Sequence, residues 1–331
     1  MKRYYSGYLV GDYALFPPAP YKGKGWTICF EDRPSDQASA HQTWIEGKWY
    51  PAKAVNICAS SPERADDVGD MIYASVCLML GQLPPCGRTA VIPADLHNAE
   101  QEDGQDQAPG TTRDVLVGSL PLACLIAAKA SYSKAYQYAL FKHLLSHQIF
   151  STSTAGLRPS GWWSRQLVFK SREHHVHCAY AIVLAYSVLE ELSVHIRADK
   201  DKPSTIDGEW NPEVKQELET RLKRAGIDLS ESFLWIQRDT PTRIERTRPP
   251  RTQSLAEWAG LKVRDHELAL VDAIAYTSWL RSRVSAHKLG QVAASLSYYD
   301  VLNAQHVARR LLLEKLGFWR YQERIAERRS G

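Results

Sequence analysis

Two runs of helix-period apolar residues, Asp265–Leu280 and Tyr298–Leu316, stand close together near the end of the chain, and they constrain its fold more than any other feature. The first carries Leu268, Val271, Ile274, Ala275 and Leu280 at spacings that gather them on one face. Between the runs lies one polar segment, Arg281-Ser282-Arg283-Val284-Ser285-Ala286-His287-Lys288-Leu289-Gly290. Basic residues near a helix C-terminus complement the macrodipole, and a glycine is a natural stop, so a plain helix end accounts for this composition. The segment also carries chemistry. An arginine fork fixes and neutralises a phosphate, and histidine is the side chain whose ordinary pKa suits proton transfer near neutrality.

The helical pattern extends back through the second half of the chain. Residues 172–196 spell a long helix with Ala181, Ile182, Ala185, Tyr186, Leu189, Leu192 and Ile196 on its buried side. Asn211-Pro212-Glu213 is a cap with a first-turn proline, opening a helix that runs through Leu218 and Leu222 to Gly226. Ser254-x-x-Glu257 matches a capping box and Ser297-x-x-Asp300 matches it loosely, giving a short helix and a final one closed by Gly317. Helices joined by loops of varied length predict an all-α bundle over residues 156–331.

The first half reads differently. Tyr4–Val10, Thr27–Phe30 and Thr43–Tyr50 have strand composition, punctuated by Pro17-Pro18, Gly23/Gly25 and Glu46-Gly47. Gly23-Lys24-Gly25 is a turn, lacking the spacing of a phosphate loop. Ser61 and Pro62 open a helix that Gly81 closes, with Ala65, Val68, Ile72, Val76 and Leu80 as its core stripe and Asp66, Asp67 and Asp70 as a solvated acidic face. Residues 94–113 are polar and acidic, a loop without the apolar surface to offset its ordering. Apolar and amphipathic segments, Val115–Ala130 and Tyr132–Leu145, lead to the small-residue tract 151–161. That tract is the expected boundary between an α+β domain, 1–155, and the all-α domain, 156–331.

Six scattered cysteines without a C-x-x-C, an N-terminus without a signal-peptide core and no apolar run of about 20 residues point to a reduced, cytoplasmic protein. The net charge of +4 falls entirely in residues 170–331. There Arg238, Arg243, Arg246, Arg248 and Arg251 form a basic stretch, and with Lys288 they are candidates to follow an RNA backbone. Arg309, Arg310, Lys315 and Arg320 read as a solvated helix face with interspersed glutamates. His174-His175-Val176-His177-Cys178 has a single i,i+4 pair of metal-capable side chains, too few for a metal site.

An Arg-x5-His, Arg281 to His287, between the last two long helices of a helical domain resembles the HEPN superfamily. The surrounding Ala185-Tyr186-Ser187-Val188-Leu189-Glu190-Glu191-Leu192 and Leu218-Glu219-Thr220-Arg221-Leu222, leading into a segment Trp235–Glu245, extend the resemblance over roughly residues 170–320. It implies a metal-independent endoribonuclease of toxin or anti-phage type, needing no cofactor, in which two copies of the motif meet across a homodimer. It further implies that Arg281 binds the scissile phosphate and His287 serves in proton transfer or orientation, with Glu190 or Glu191 available to orient the imidazole. The products would carry a 2′,3′-cyclic phosphate and a 5′-hydroxyl. Serine at 282 departs from the residues usual in that position. At about 100° per residue, positions 281 and 287 lie some 240° apart on a straight helix, whereas Arg283 and His287 share a face. Either the helix breaks or a partner copy completes the site, and Arg283 stands as the second candidate arginine. A non-catalytic dimerisation or ligand-binding module is the alternative. The N-terminal domain is expected to sense a protein or small-molecule trigger.

Overall fold

The computed structural model describes residues 1–10, 20–32, 42–45, 48–84, 92–93, 120–155, 172–207, 209–238, 254–258, 261–286 and 298–321. The chain forms two units, Met1–Leu140 with Arg320–Gly331, and Phe141–Trp319.

The first unit is built on one antiparallel sheet. Strands β1 (Lys2–Val10), β2 (Tyr21–Gly23), β3 (Trp26–Asp32), β4 (Gln42–Ile45), β5 (Lys48–Ala59) and β6 (Ile92–Pro93) run in the order β2-β3-β5-β1-β6, with β4 also paired to β5. The long β5 is central, pairing Ile57 with both Tyr4 and Ile28. Register shifts between Tyr5 and Gly7, where β1 carries one residue more than β5. Within the strand-rich segment Thr43–Tyr50, β4 and β5 pair antiparallel with Ile45 opposite Lys48, and Glu46-Gly47, expected to punctuate it, lie outside the described residues. Gly23 and Gly25 make the β2–β3 turn. A Cβ on Gly23 would collide with the Trp26 indole, and Gly25 has φ +78°.

Helix α1 (Pro62–Leu80) follows its caps: the Ser61 side chain accepts from Arg64 N, and Gly81 ends the helix left-handed at φ 66°. With α2 (Leu120–Ala130) it buries Val68, Met71, Ile72, Cys124 and Ala127 against Trp26, Ile28, Val55 and Ile57 of the sheet. The expected acidic loop, 94–113, lies outside the described residues. Helix α3 (Lys134–Ala155) carries the chain from one unit to the next. Ser151–Ala155, expected in an irregular boundary tract, are its last residues, and 156–161 lie outside the described residues.

The second unit is helical in bulk but not all-α, and here the sequence expectation fails. Helices α4 (Arg172–Glu191), α5 (Pro212–Arg224), α6 (Leu270–Ala286) and α7 (Tyr298–Leu316) are joined by a hairpin, β7 (Thr205–Ile206) with β8 (Glu209–Trp210). They are joined also by a three-stranded antiparallel sheet in the order β10-β11-β9, formed by β9 (Phe233–Arg238), β10 (Ser254–Trp258) and β11 (Leu261–Leu268). The segment read as helical from Asp265 is strand to Leu268, and the helix starts at Leu270. Exposure alternates through Phe233, Leu234 and Trp235 and again through His266, Glu267 and Leu268, the period of a strand with one buried face. The Ser254-x-x-Glu257 match is no capping box: Ser254 pairs with Arg264 and Trp258 with Leu261. Of the segment Trp235–Glu245, residues 235–238 lie in β9 and 239–245 lie outside the described residues. The mixed α+β class therefore covers both halves of the chain.

Helices α6 and α7 pack on α4, and α7 also backs β9. The Asn303 amide of α7 bonds both backbone groups of Ile236, accepting from its N–H at 3.0 Å and donating to its carbonyl at 2.6 Å. Arg310, read from sequence as solvated, is 1% exposed. Its guanidinium bonds Glu314 Oε1 at 2.8 Å and donates to the carbonyls of Asp228, Glu231 and Ser232, clamping that turn to α7.

Candidate phosphate-binding site

Helix α6 buries Leu270, Val271, Ala273, Ile274, Leu280 and Val284, which leaves the remaining side of its last two turns to polar groups. Arg281 leans toward α4. Its Nη2 lies 3.4 Å from Glu190 Oε1, with the two side chains 41% and 38% exposed, and its Cζ is 5.7 Å from the centroid of the Tyr186 ring. The carboxylate and the aromatic face hold the guanidinium while much of it remains open to water. Burial raises the Tyr186 phenol above its ordinary pKa, against hydrogen bonds to Ser278 and the Ile196 backbone, so the phenol stays protonated at neutral pH.

Arg283 points elsewhere. Its Cζ sits 5.1 Å over the Trp279 ring one turn back. It ends an aromatic ladder in which Trp279 stacks on Tyr276 at 5.2 Å and Tyr276 meets Trp235 edge-on at 4.6 Å. The two candidate arginines are thus separated by their partners: Arg281 belongs to an ionic cluster with α4, Arg283 to a stack along its own helix. Ser285 Oγ donates to the Arg281 carbonyl at 2.8 Å, so this serine is engaged with the helix backbone.

Helix α6 is described through Ala286, and His287 and Lys288 lie outside the described residues, as do Arg243 and Arg246. Arg238 is described as backbone only, in β9 opposite Val263.

A second group of side chains beside Arg281 escaped the sequence reading. The helix expected over 172–196 stops at Glu191. Ser193 turns left-handed at φ 57°, and the Val194 N–H returns to the Leu189 carbonyl at 2.9 Å. The chain then runs on irregularly, with Val194 and Ile196 buried, His195 half-buried and Arg197 exposed. That period-two alternation was the available signal, and the apolar Leu192 and Ile196 at helical spacing masked it. Arg221 of α5 reaches this turn, donating from Nη1 to the Ser193 carbonyl at 3.3 Å. Its Nε stands 3.8 Å from Glu217 Oε1.

The electrostatics of this corner are coherent. Burial lowers the His195 pKa, and the nearby charges of Arg221 and Arg197 lower it further against the opposing Glu190 carboxylate. The imidazole is therefore neutral at pH 7, competent to accept a proton or donate one N–H. Guanidiniums, a neutral imidazole and a protonated phenol around one turn form a donor-rich surface suited to an oxyanion.

Metal-capable groups lie apart from it. Cys178 is buried, its thiol pushed up to about 12 by desolvation, so it offers no ready thiolate. His143 and His147, one turn apart on α3, face each other with ring centroids 4.7 Å apart. Two imidazoles supply half of a tetrahedral ligand set.

Comparison of the chain with protein-family models, with curated proteins and with solved structures finds no match.

Proposed function

We propose that the second unit cleaves RNA without a metal, as the HEPN resemblance implies, with Arg281 holding the scissile phosphate. The observation that carries this reading is the placement of Arg281: a half-exposed guanidinium, aimed by Glu190 and Tyr186, at the end of the helix that leads to His287. In the proposed reaction the ribose 2′-oxygen forms a bond to phosphorus and the bond from phosphorus to O5′ breaks. A base takes the 2′-OH proton and a proton is delivered to O5′, leaving a 2′,3′-cyclic phosphate and a 5′-hydroxyl. His287 is the proposed proton-transfer group. Two copies of the chain would bring Arg281 and His287 together across a two-fold axis, with a trigger at the first unit governing activity.

Arg281→Ala and His287→Ala are each expected to lower RNA cleavage at least about a hundredfold, the size of a lost charge-stabilising or acid–base group. Added chelator leaves the wild-type rate unchanged. End-group analysis of the products checks the mechanism. Equal cleavage by all three proteins, or loss of activity with chelator, would sink it. The Arg281–Glu190 ion pair also suits a purely structural arginine and so favours a second reading, a non-catalytic dimerisation or ligand-binding module. A stable dimer in sizing experiments with no cleavage of any RNA distinguishes that case.

A further inference from the structure

The turn that ends α4 holds cations that the proposed cleavage chemistry leaves unused. Arg221 brings five guanidinium N–H donors, and one nitrogen, Nη1, bonds the Ser193 carbonyl. Its Nε and Nη2 are shielded from water and make no hydrogen bond, and Nε is ion-paired with Glu217 Oε1 at 3.8 Å. The Nδ1 of His195 is likewise shielded from water without a full hydrogen bond, the imidazole lying against the Leu189 backbone. Arg197, exposed on the same turn, acts electrostatically on both.

The nearby carboxylates are shared among several cations. Glu190 pairs with Arg281, and Glu217 meets Arg221 through Oε1 at 3.8 Å and Lys202 through Oε2 at 3.4 Å. Cations gathered at one turn repel one another, as Arg197 does Arg221, and an incoming anion offsets that repulsion. Tyr186 spans the two sets of cations: its ring faces Arg281, and its phenol lies within electrostatic reach of Arg221. The two sets of cations therefore have Tyr186 as a common neighbour.

We propose that Arg221, His195 and Arg197 form a second phosphate subsite, taking a neighbouring phosphate of the RNA strand whose scissile phosphate Arg281 holds. This rests on the reading of Arg281 given above and extends it to how the strand is gripped. Arg221 and Arg197 supply positive charge at the turn, and His195 an N–H donor. Because a bound phosphate dianion or diester favours the imidazolium, binding raises the His195 pKa and draws a proton onto it.

The test uses the full chain and a fluorescent 2′-O-methyl RNA octamer, which lacks the nucleophile and cannot be cut, titrated over a salt series. Arg221→Gln is expected to weaken binding about tenfold and to reduce the salt dependence by about one released counterion, with Arg197→Ala losing about threefold. Arg221→Lys, which keeps the charge without the fork, falls between wild type and Arg221→Gln and separates binding from folding. The His195 imidazole resonance, followed against pH, shifts its midpoint upward when the octamer is added. Wild-type affinity and salt dependence in both Arg221→Gln and Arg197→Ala would overturn the subsite. So would an Arg221 effect confined to inorganic phosphate, which marks a site for the free ion, or a wild type that binds no octamer at low salt. A wild type that binds the octamer through Arg221 yet leaves unmodified RNA intact removes the cleavage reading and keeps the subsite. Cleavage of RNA with no dependence on Arg221 does the reverse.

Discussion

At the scale of single residues, two arginines, one buried and one half-buried, do opposite kinds of service. Arg310 is a cation taken almost fully out of water, and its cost is met by Glu314 and three backbone carbonyls in one turn. Arg310→Ala would leave the Glu314 carboxylate, 5% exposed, without its partner, and is expected to cost about 3–5 kcal/mol in urea unfolding. The Arg310→Ala, Glu314→Ala double variant should lose less than the sum of the two single changes, because the second substitution removes the stranded charge. Arg221 is the contrasting case, since two of its nitrogens stay unmet. Neither distinction was visible in the sequence. Arg310 sits among Arg309, Glu314 and Lys315 in what reads as a solvated helix face, and only the chain folding back from Asp228 to Ser232 buries it.

At the scale of elements, cap chemistry was legible and strand pairing was not. Ser61 with Pro62 and Asn211 with Pro212 start helices as their sequences state, because a cap acts within one turn and needs no distant partner. Strands β9 to β11 depend on partners well separated in sequence, and a capping-box pattern at Ser254 outweighed the alternation in their residues. Strand β9 is an edge of that sheet, and the Asn303 amide occupies its open side by bonding both backbone groups of Ile236. Asn303→Leu keeps the heavy-atom count and branching of the side chain but leaves those two groups without partners. It is expected to cost about 2–4 kcal/mol and to speed amide exchange at Ile236, while amides within α5 keep their wild-type protection.

At the scale of the whole molecule, stability depends on pH through the histidines of α3. Burial holds the His147 pKa down to about 4, aided by His306 and Arg309, and desolvation with His147, Arg309 and His306 puts His143 well below its ordinary value. Well above about pH 6.5 both rings are neutral whether the chain is folded or unfolded, and they contribute no pH dependence. As pH falls toward 4 the unfolded chain takes up protons that the folded one refuses, so stability is lost across that window, by roughly 3 kcal/mol for His147 alone. Unfolding free energies at pH 7 and pH 4.5 check this, and His147→Gln should flatten the difference. The candidate site shows the same limit of sequence reading as the fold does. Arg281 was found because it lies in a local pattern; His195 and Arg221 were missed because a turn and a separate helix bring them together. One junction ties these scales. A single residue, Ala269, separates β11 from α6, so no slack exists for the helix to turn about its own axis. The sheet thus works as an indexing stop for α6. The direction in which Arg281 faces is set at the far end of its helix, by which residue of β11 is the last to pair.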